Sequence, residues 1–181
     1  MGKRPYRTEL FAKFAEEITA ACPSDVRVLE LGSGPGFLAE CILRTLPEST
    51  CVLLDISPAM HTLAATRLGD LNDRAEFIQR SFKEDHWNSG LGDFKCVVTN
   101  QAVHELRHKR HAPTLHSQVQ SILQSGGSYF VCDHFCGDGG MSNGELYMTV
   151  EEQKEALLIA GFKSVREVAL TGSLVLHHAV C

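Results

Sequence analysis

The stretch Val28-Leu29-Glu30-Leu31-Gly32-Ser33-Gly34-Pro35-Gly36-Phe37 joins an apolar run to a helix-like pattern through three glycines at alternate positions. A short apolar run ending at glycine is consistent with a buried strand. Glycine beyond it permits positive φ and lets a ligand come close to the main chain. A strand, a glycine turn and a helix N-terminus together make a nucleotide-type binding loop. The spacing narrows the ligand. A dinucleotide fingerprint needs G-x-G-x-x-G, whose third glycine would fall at Phe37. The chain has G-x-G-x-G instead, with Glu30 two residues before the first glycine.

Outward from this loop, strand and helix signals alternate. Leu10, Phe11, Phe14, Ala15 and Ile18 give residues 8–21 an amphipathic helical period. Residues 26–31 form the first strand and 37–46 the helix after the loop, stopped by Pro47. A second strand, 51–54, ends at Asp55; Ser57 then caps a helix with Pro58 in its first turn. Strands are expected at 75–79, 94–99 and 128–132, and a mostly helical run at 104–123 with a break or restart at Pro113. Gly126-Gly127 reads as a turn and 133–148 as an irregular glycine-rich loop. Thr149-Val150-Glu151-Glu152 matches a capping box, opening a helix to Ala160 that Gly161 terminates. Two strands, roughly 163–169 and 173–180, follow around Thr171-Gly172. This alternation predicts an α/β domain with a parallel sheet. The last two strands can pair only antiparallel, because their connection is too short for a crossover.

The glycine spacing with Glu30, and the order of elements over nearly the whole chain, resemble the class I S-adenosylmethionine-dependent methyltransferases. The resemblance implies a single domain over 1–181 with a doubly wound, seven-stranded, mostly parallel sheet. This is the Rossmann-like methyltransferase fold, with strand order 3-2-1-4-5-7-6 and a C-terminal antiparallel hairpin. It implies S-adenosylmethionine as cofactor and S-adenosylhomocysteine as product. The cofactor set carried over is Glu30, Gly32, Ser33, Gly34 and Gly36 around the loop, and Asp55 for the ribose hydroxyls. Ile56 and Met60 follow as adenine neighbours, with Ser81, Phe82, Asn100 and Gln101 completing the set. Each has a plainer reading: Asp55 as a carboxylate at a helix start, Ile56 and Met60 as core. Arg80-Ser81-Phe82 lacks the acid that the family often carries there. Asn100-Gln101-Ala102-Val103 lacks the prolines of DNA and protein-amide N-methyltransferases, which lowers those acceptors.

His104 is the first candidate base and His134 the second, because imidazole titrates near neutrality; hydrogen-bonded structural roles remain open for both. Asp133 beside His134 is a further candidate for positioning a nucleophile. His104-Glu105-Leu106-Arg107-His108 also fits H-E-x-x-H, a zinc-protease signature. That mechanism needs both histidines on one face of a helix. Here the motif directly follows a strand, so no metal is expected. Arg107-His108-Lys109-Arg110-His111 reads as a solvated basic face, with an anionic acceptor as the sharper alternative. Residues 133–148 are a candidate lid, and the N-terminal segment (1–24), through Tyr6 and Phe11, a candidate cover.

The chain has 181 residues, 44% hydrophobic and 22% charged, enough for one full core. Its net charge of −5 disfavours a nucleic-acid partner. No run is long enough to span a membrane, and no apolar segment follows the basic first residues as in a secretory signal. Seven cysteines without a C-x-x-C suggest a reduced, cytoplasmic protein. The function expected is methyl transfer to an oxygen or nitrogen nucleophile of a small molecule, with a second subunit as a candidate to complete the pocket. The alternative is a methyltransferase-like module that binds the cofactor or a partner without turnover. A nucleotide-dependent oxidoreductase is disfavoured by Phe37.

Overall fold

The computed structural model describes residues 6–181, with side chains from residue 8 onward. Seven strands form one sheet in the order β3-β2-β1-β4-β5-β7-β6. The parallel strands are β1 (Arg27–Leu31), β2 (Thr50–Asp55), β3 (Ala75–Gln79), β4 (Phe94–Asn100) and β5 (Leu123–His134). The hairpin of β6 (Ser164–Thr171) and β7 (Leu174–Val180) closes the sheet, with β7 antiparallel to both neighbours.

Strand periodicity divides the core into two layers. Val28, Leu53, Val98 and Phe130 face α1 (Tyr6–Ala21), α2 (Phe37–Thr45) and α3 (Pro58–Leu68). Leu29, Leu54, Val97 and Val131 face α4 (Ala112–Ser121) and α5 (Val150–Ile159). Helices thus cover both faces, as the doubly wound reading expected. The strand order reverses at β1 and β4, where ligands of open α/β sheets bind beyond the strand ends.

One expectation is sharpened and one needs correction. The run after β4 is helical in pieces, with the restart at Pro113 as expected. It forms 3₁₀ turns at Val103–Leu106 and Lys109–His111 before α4 begins. Arg107 takes a left-handed φ of 68° and His108 is extended, so helical hydrogen bonding cannot pass through them. Pro113 sits in the first turn of α4, where its missing N–H costs nothing. Nor is Gly126-Gly127 a separate turn: both lie inside β5, where the register against β4 shifts between Phe94 and Cys96. Elsewhere the cap at Ser57 and the Thr149–Glu152 capping box stand as expected.

All three loop glycines have positive φ: 66°, 51° and 73° at Gly32, Gly34 and Gly36. Their surroundings differ. A Cβ at Gly32 would come 2.6 Å from the Ala102 Cβ, and one at Gly36 would come 2.9 Å from the Ala64 Cβ. A Cβ at Gly34 would meet nothing within 4 Å. Gly32→Ala should therefore combine backbone strain with a steric clash and cost about 2–4 kcal/mol. Gly34→Ala should cost only the strain, about 1–2 kcal/mol. Urea unfolding of the two variants checks this; equal losses would contradict the packing account.

Candidate active site

The glycine loop is shaped from outside itself. The Leu54 carbonyl at the end of β2 accepts from the amides of Gly32 (2.9 Å) and Ser33 (3.2 Å). Asp55 follows, and its carboxylate accepts from Gly34 N (2.8 Å) and Ser57 N (2.9 Å). Asp55 therefore joins the loop before α2 to the start of α3. The two accepted bonds leave lone pairs on the same carboxylate for a further donor.

A cleft runs on both sides of Gly32 and Gln101. One part, about 250 Å³, is lined by Asp55, Ile56, Ser81, Phe82, Ala102 and Glu105, among others. The other, about 220 Å³, is lined by Phe11, Glu30, Ser33, Gly34 and Asn100, among others. Gly32 and Gln101 line both parts. Of the cofactor set read from the sequence, Gly36 and Met60 do not line either part. Gly36 is packed against Ala64, and Met60 lies in the first turn of α3, its amide capped by Ser57. Phe11 reaches the cleft from α1; the Tyr6 side chain lies outside the described residues. Arg80, Lys83, Pro35 and Leu38 also line the cleft without having been singled out by the sequence. Pro35 lies inside the glycine loop, and Arg80 beside Ser81; Lys83 and Leu38 belong to no motif that would have marked them.

Glu30 is the unusual group. It is 3% exposed, and its Oε2 has no hydrogen-bond partner among the described residues. Burial, reinforced by the negative charge of Asp55, pushes its carboxyl up to about 8, against the opposing pull of the Ala39 amide. The neighbouring Ser33 Oγ and Asn100 Oδ1 are buried and unpartnered as well. Three polar atoms without partners beside an open cleft fit a polar, cationic ligand group. The amino-acid end of S-adenosylmethionine is such a group.

Beyond the ends of β4 and β5, two segments distant in sequence meet. Asp133 Oδ1 lies 2.6 Å from His104 Nδ1, and Asp133 Oδ2 accepts from the His104 backbone amide at 2.8 Å. The Asp133 side chain is 5% exposed and that of His104 20%. The hydrogen bond to Asp133 raises the His104 pKa above its ordinary value, against burial, which lowers it. His134 packs edge-on against His104 at 5.7 Å, and its Nδ1 lies 2.8 Å from the Ser173 hydroxyl. Tyr147 stands 5.6 Å from His104 and 5.9 Å from His134, ring centre to ring centre. Tyr147, which no sequence motif marks, arrives from the 135–148 segment. That segment is cross-braced: Lys109 N donates to Glu145 O (2.9 Å), and Cys136 N to Met148 O (2.9 Å).

The H-E-x-x-H residues diverge. His104 turns to Asp133, and His108 lies 2.9 Å from Glu145. Among the described residues no group of three or more His, Cys, Asp or Glu is placed to hold a metal. Charges of the basic cluster are engaged locally, Arg107 with Glu105 (3.3 Å) and Lys109 with Glu152 (2.7 Å). No described helix is long and apolar enough to cross a membrane.

Comparisons with known proteins bear on the family and the fold. Residues 28–127 match the family model of the methyltransferase domain. A malonyl-[acyl-carrier protein] O-methyltransferase from Paenibacillus is 25% identical over 127 residues, 70% of this chain and 45% of that protein. The chain thus spans under half the length of that relative. Among solved structures, human N-acetylserotonin methyltransferase in complex with S-adenosylmethionine superposes with a TM-score of 0.71 at 16% identity. That match covers 95% of this chain and 52% of the human one. A glycopeptide N-methyltransferase complexed with the same cofactor gives 0.72 at 18% identity, covering 93% and 92%. The chain belongs to the class I S-adenosylmethionine-dependent methyltransferases.

If Glu30 receives a cationic group, cofactor binding must release a proton. Between the ordinary carboxyl pKa of 4.5 and about 8 the free protein holds that proton, and a cation favours the ionised form. Calorimetry of S-adenosylhomocysteine binding near pH 7, in buffers of different ionisation enthalpy, should show release of up to about one proton. Glu30→Gln should abolish it. Buffer-independent enthalpies for the unsubstituted protein would overturn this role.

Proposed function

We propose that this chain transfers a methyl group from S-adenosylmethionine to an oxygen or nitrogen nucleophile of a small molecule, with His104 as the base. The observation that supports it is the His104–Asp133 pair beyond β4 and β5, adjacent to the glycine-loop cleft. The cofactor supplies an electrophilic methyl group, so the protein mainly has to orient the acceptor and exclude water. Glu30, Ser33 and Asn100 suit the amino-acid end of the cofactor, and Asp55 with Ile56, Ser81 and Phe82 suits the nucleoside.

Asp133 accepts from His104 Nδ1 and so holds the tautomer whose Nε2 is the basic nitrogen. That Nε2 lies 3.8 Å from Glu105, a residue lining the cleft. An acceptor hydroxyl or protonated amine that gives its proton to Nε2 becomes the better nucleophile. The imidazolium then formed is stabilised by the buried Asp133 carboxylate. His134 and Tyr147 pack against the His104 ring and limit its rotation. The named relatives act on different acceptors; a base beside the cleft suits an oxygen or nitrogen acceptor, and the net charge of −5 does not favour a nucleic acid. Arg107, His108 and Lys109 of the basic cluster lie against carboxylates, which does not favour an anionic acceptor.

Because Asp133 raises the His104 pKa, the base form dominates only above the ordinary imidazole value. The turnover rate should rise with pH through that elevated pKa. His104→Gln should lower kcat about 10²–10⁴-fold with cofactor affinity retained. Asp133→Asn should lower the plateau and move the rising limb to lower pH. Transfer of labelled methyl into a metabolite extract provides the assay. Full turnover in His104→Gln would remove the base. Intact cofactor binding with no transfer to any acceptor would favour the non-catalytic module.

A further inference from the structure

Next to Asp133 the sheet carries a polar seam that the proposed chemistry does not use. Tyr129, Val131 and Asp133 alternate along β5 and share a face with His177, which pairs with Val131 across the β5–β7 ladder. This face is otherwise packed with apolar side chains of α5 and its flanks, including Met148, Ala156, Leu157 and Ala160. From α4, His116 enters it at 1% exposure, its ring 5.6 Å from that of Tyr129. Among the described residues, His116 Nδ1, Tyr129 Oη and His177 Nδ1 are buried without a hydrogen-bond partner. Buried polar groups in folded proteins are nearly always satisfied, by protein or by internal water.

A small cavity of about 10 Å³ lies at the same place, lined by the polar residues His116, Asp133 and Gln153 and by apolar Val103, Val131, Met148 and Leu157. That volume is at the lower limit for a single water. An internal water also needs two to four polar partners, which His116, Asp133 and Gln153 can supply. Asp133 has the capacity. Its oxygens accept from His104 Nδ1, His104 N and His134 N, three of roughly four lone-pair positions.

We infer that one internal water bridges His116 Nδ1 to the Asp133 carboxylate, so that His116 is a positioning residue for the His104–Asp133 pair. The consequence for catalysis rests on His104 being the base; the water itself does not. Burial pushes His116 down to about 3, so it carries no charge at working pH and acts through its hydrogen bond alone. The bridging water donates to Asp133 and moderates the pull of the carboxylate on His104. The other groups facing His104 are His134 of β5, Tyr147 of the 135–148 segment, and Glu105 and Arg107 of its own turn. None of them lines the cavity.

The test is the titration of His104, followed by NMR in the protein without cofactor, so that it can be read whether or not the protein turns over. His116→Leu removes the anchor of the water and leaves Asp133 one donor short. The His104 pKa should rise by roughly half a unit to one unit. His116→Asn, whose amide occupies the place of Nδ1, should return most of that shift. A lesion of packing alone would lower the unfolding temperature in both variants without the rescue in pKa. A crystal structure of the unsubstituted protein gives a second reading, with an ordered water within hydrogen-bond distance of His116 Nδ1 and an Asp133 oxygen. A dry cavity, or a His104 titration unmoved or lowered in a folded His116→Leu protein, overturns the inference. Failure of the base reading looks different: full turnover in His104→Gln while the His104 titration still responds to His116.

Discussion

The end of β2 holds the loop that leaves β1, and the ligand cleft depends on that grip. The Leu54 carbonyl and the Asp55 carboxylate, on two consecutive residues, accept four backbone N–H groups: those of Gly32, Ser33, Gly34 and Ser57. The first three belong to the crossover leading to α2, and the fourth to the one leading to α3. Parallel pairing of β1 with β2 sets the distance at which one strand end can reach the other's loop. The grip brings the N-terminal ends of α2 and α3 together beside Asp55, with their positive dipole ends close to the cleft. It also explains why glycine is needed at these turns. The backbone is drawn into left-handed conformations against Ala102 and Ala64, where a side chain would have no room.

The second half of the site is built across the switch point by the other strand pair. Gln101 N donates to Cys132 O at 2.8 Å, continuing the β4–β5 ladder one step past the strand end. Gln101 takes a φ of 55° there, an uncommon conformation for a side-chain-bearing residue, and the chain turns sharply into Val103–Leu106. That turn lays the His104 amide and ring against Asp133. Because the backbone and the imidazole both bind the same carboxylate, the ring is fixed relative to the strand ends and not merely near them.

The sequence carried the local features well. Glycine spacing, Asp55 after an apolar run, the Ser57 cap, the Thr149 capping box and the short hairpin connection each act within a few residues, and each stands in the fold. Two other features could not be read that way. The pairing of His104 with Asp133 spans 29 positions and exists only because β4 and β5 are neighbours in register. Tyr147 comes from a loop with no periodicity. The interruption of the helical run at Arg107 and His108, ahead of the restart at Pro113, has a related cause: the chain there is held by Asp133 and Glu145, which no local propensity encodes. His104 was thus visible as a candidate, while the group that tunes it was visible only as a separate acid.

Buried polar atoms without partners carry different information depending on what they face. Around the glycine loop, Glu30 Oε2, Ser33 Oγ and Asn100 Oδ1 belong to residues lining an open cleft, so a ligand from solution can satisfy them. His116 Nδ1 belongs to a residue lining a cavity with room for no more than about one water, so a water is what fits beside it. The first set therefore bears on what the protein binds, and the second on how stiffly it holds the machinery beside that ligand. Asp133 joins the two regions: both oxygens of its carboxylate hold His104, and the residue also lines the cavity. A carboxylate so placed couples interior hydrogen bonding to the basicity of His104 without any charge crossing the core.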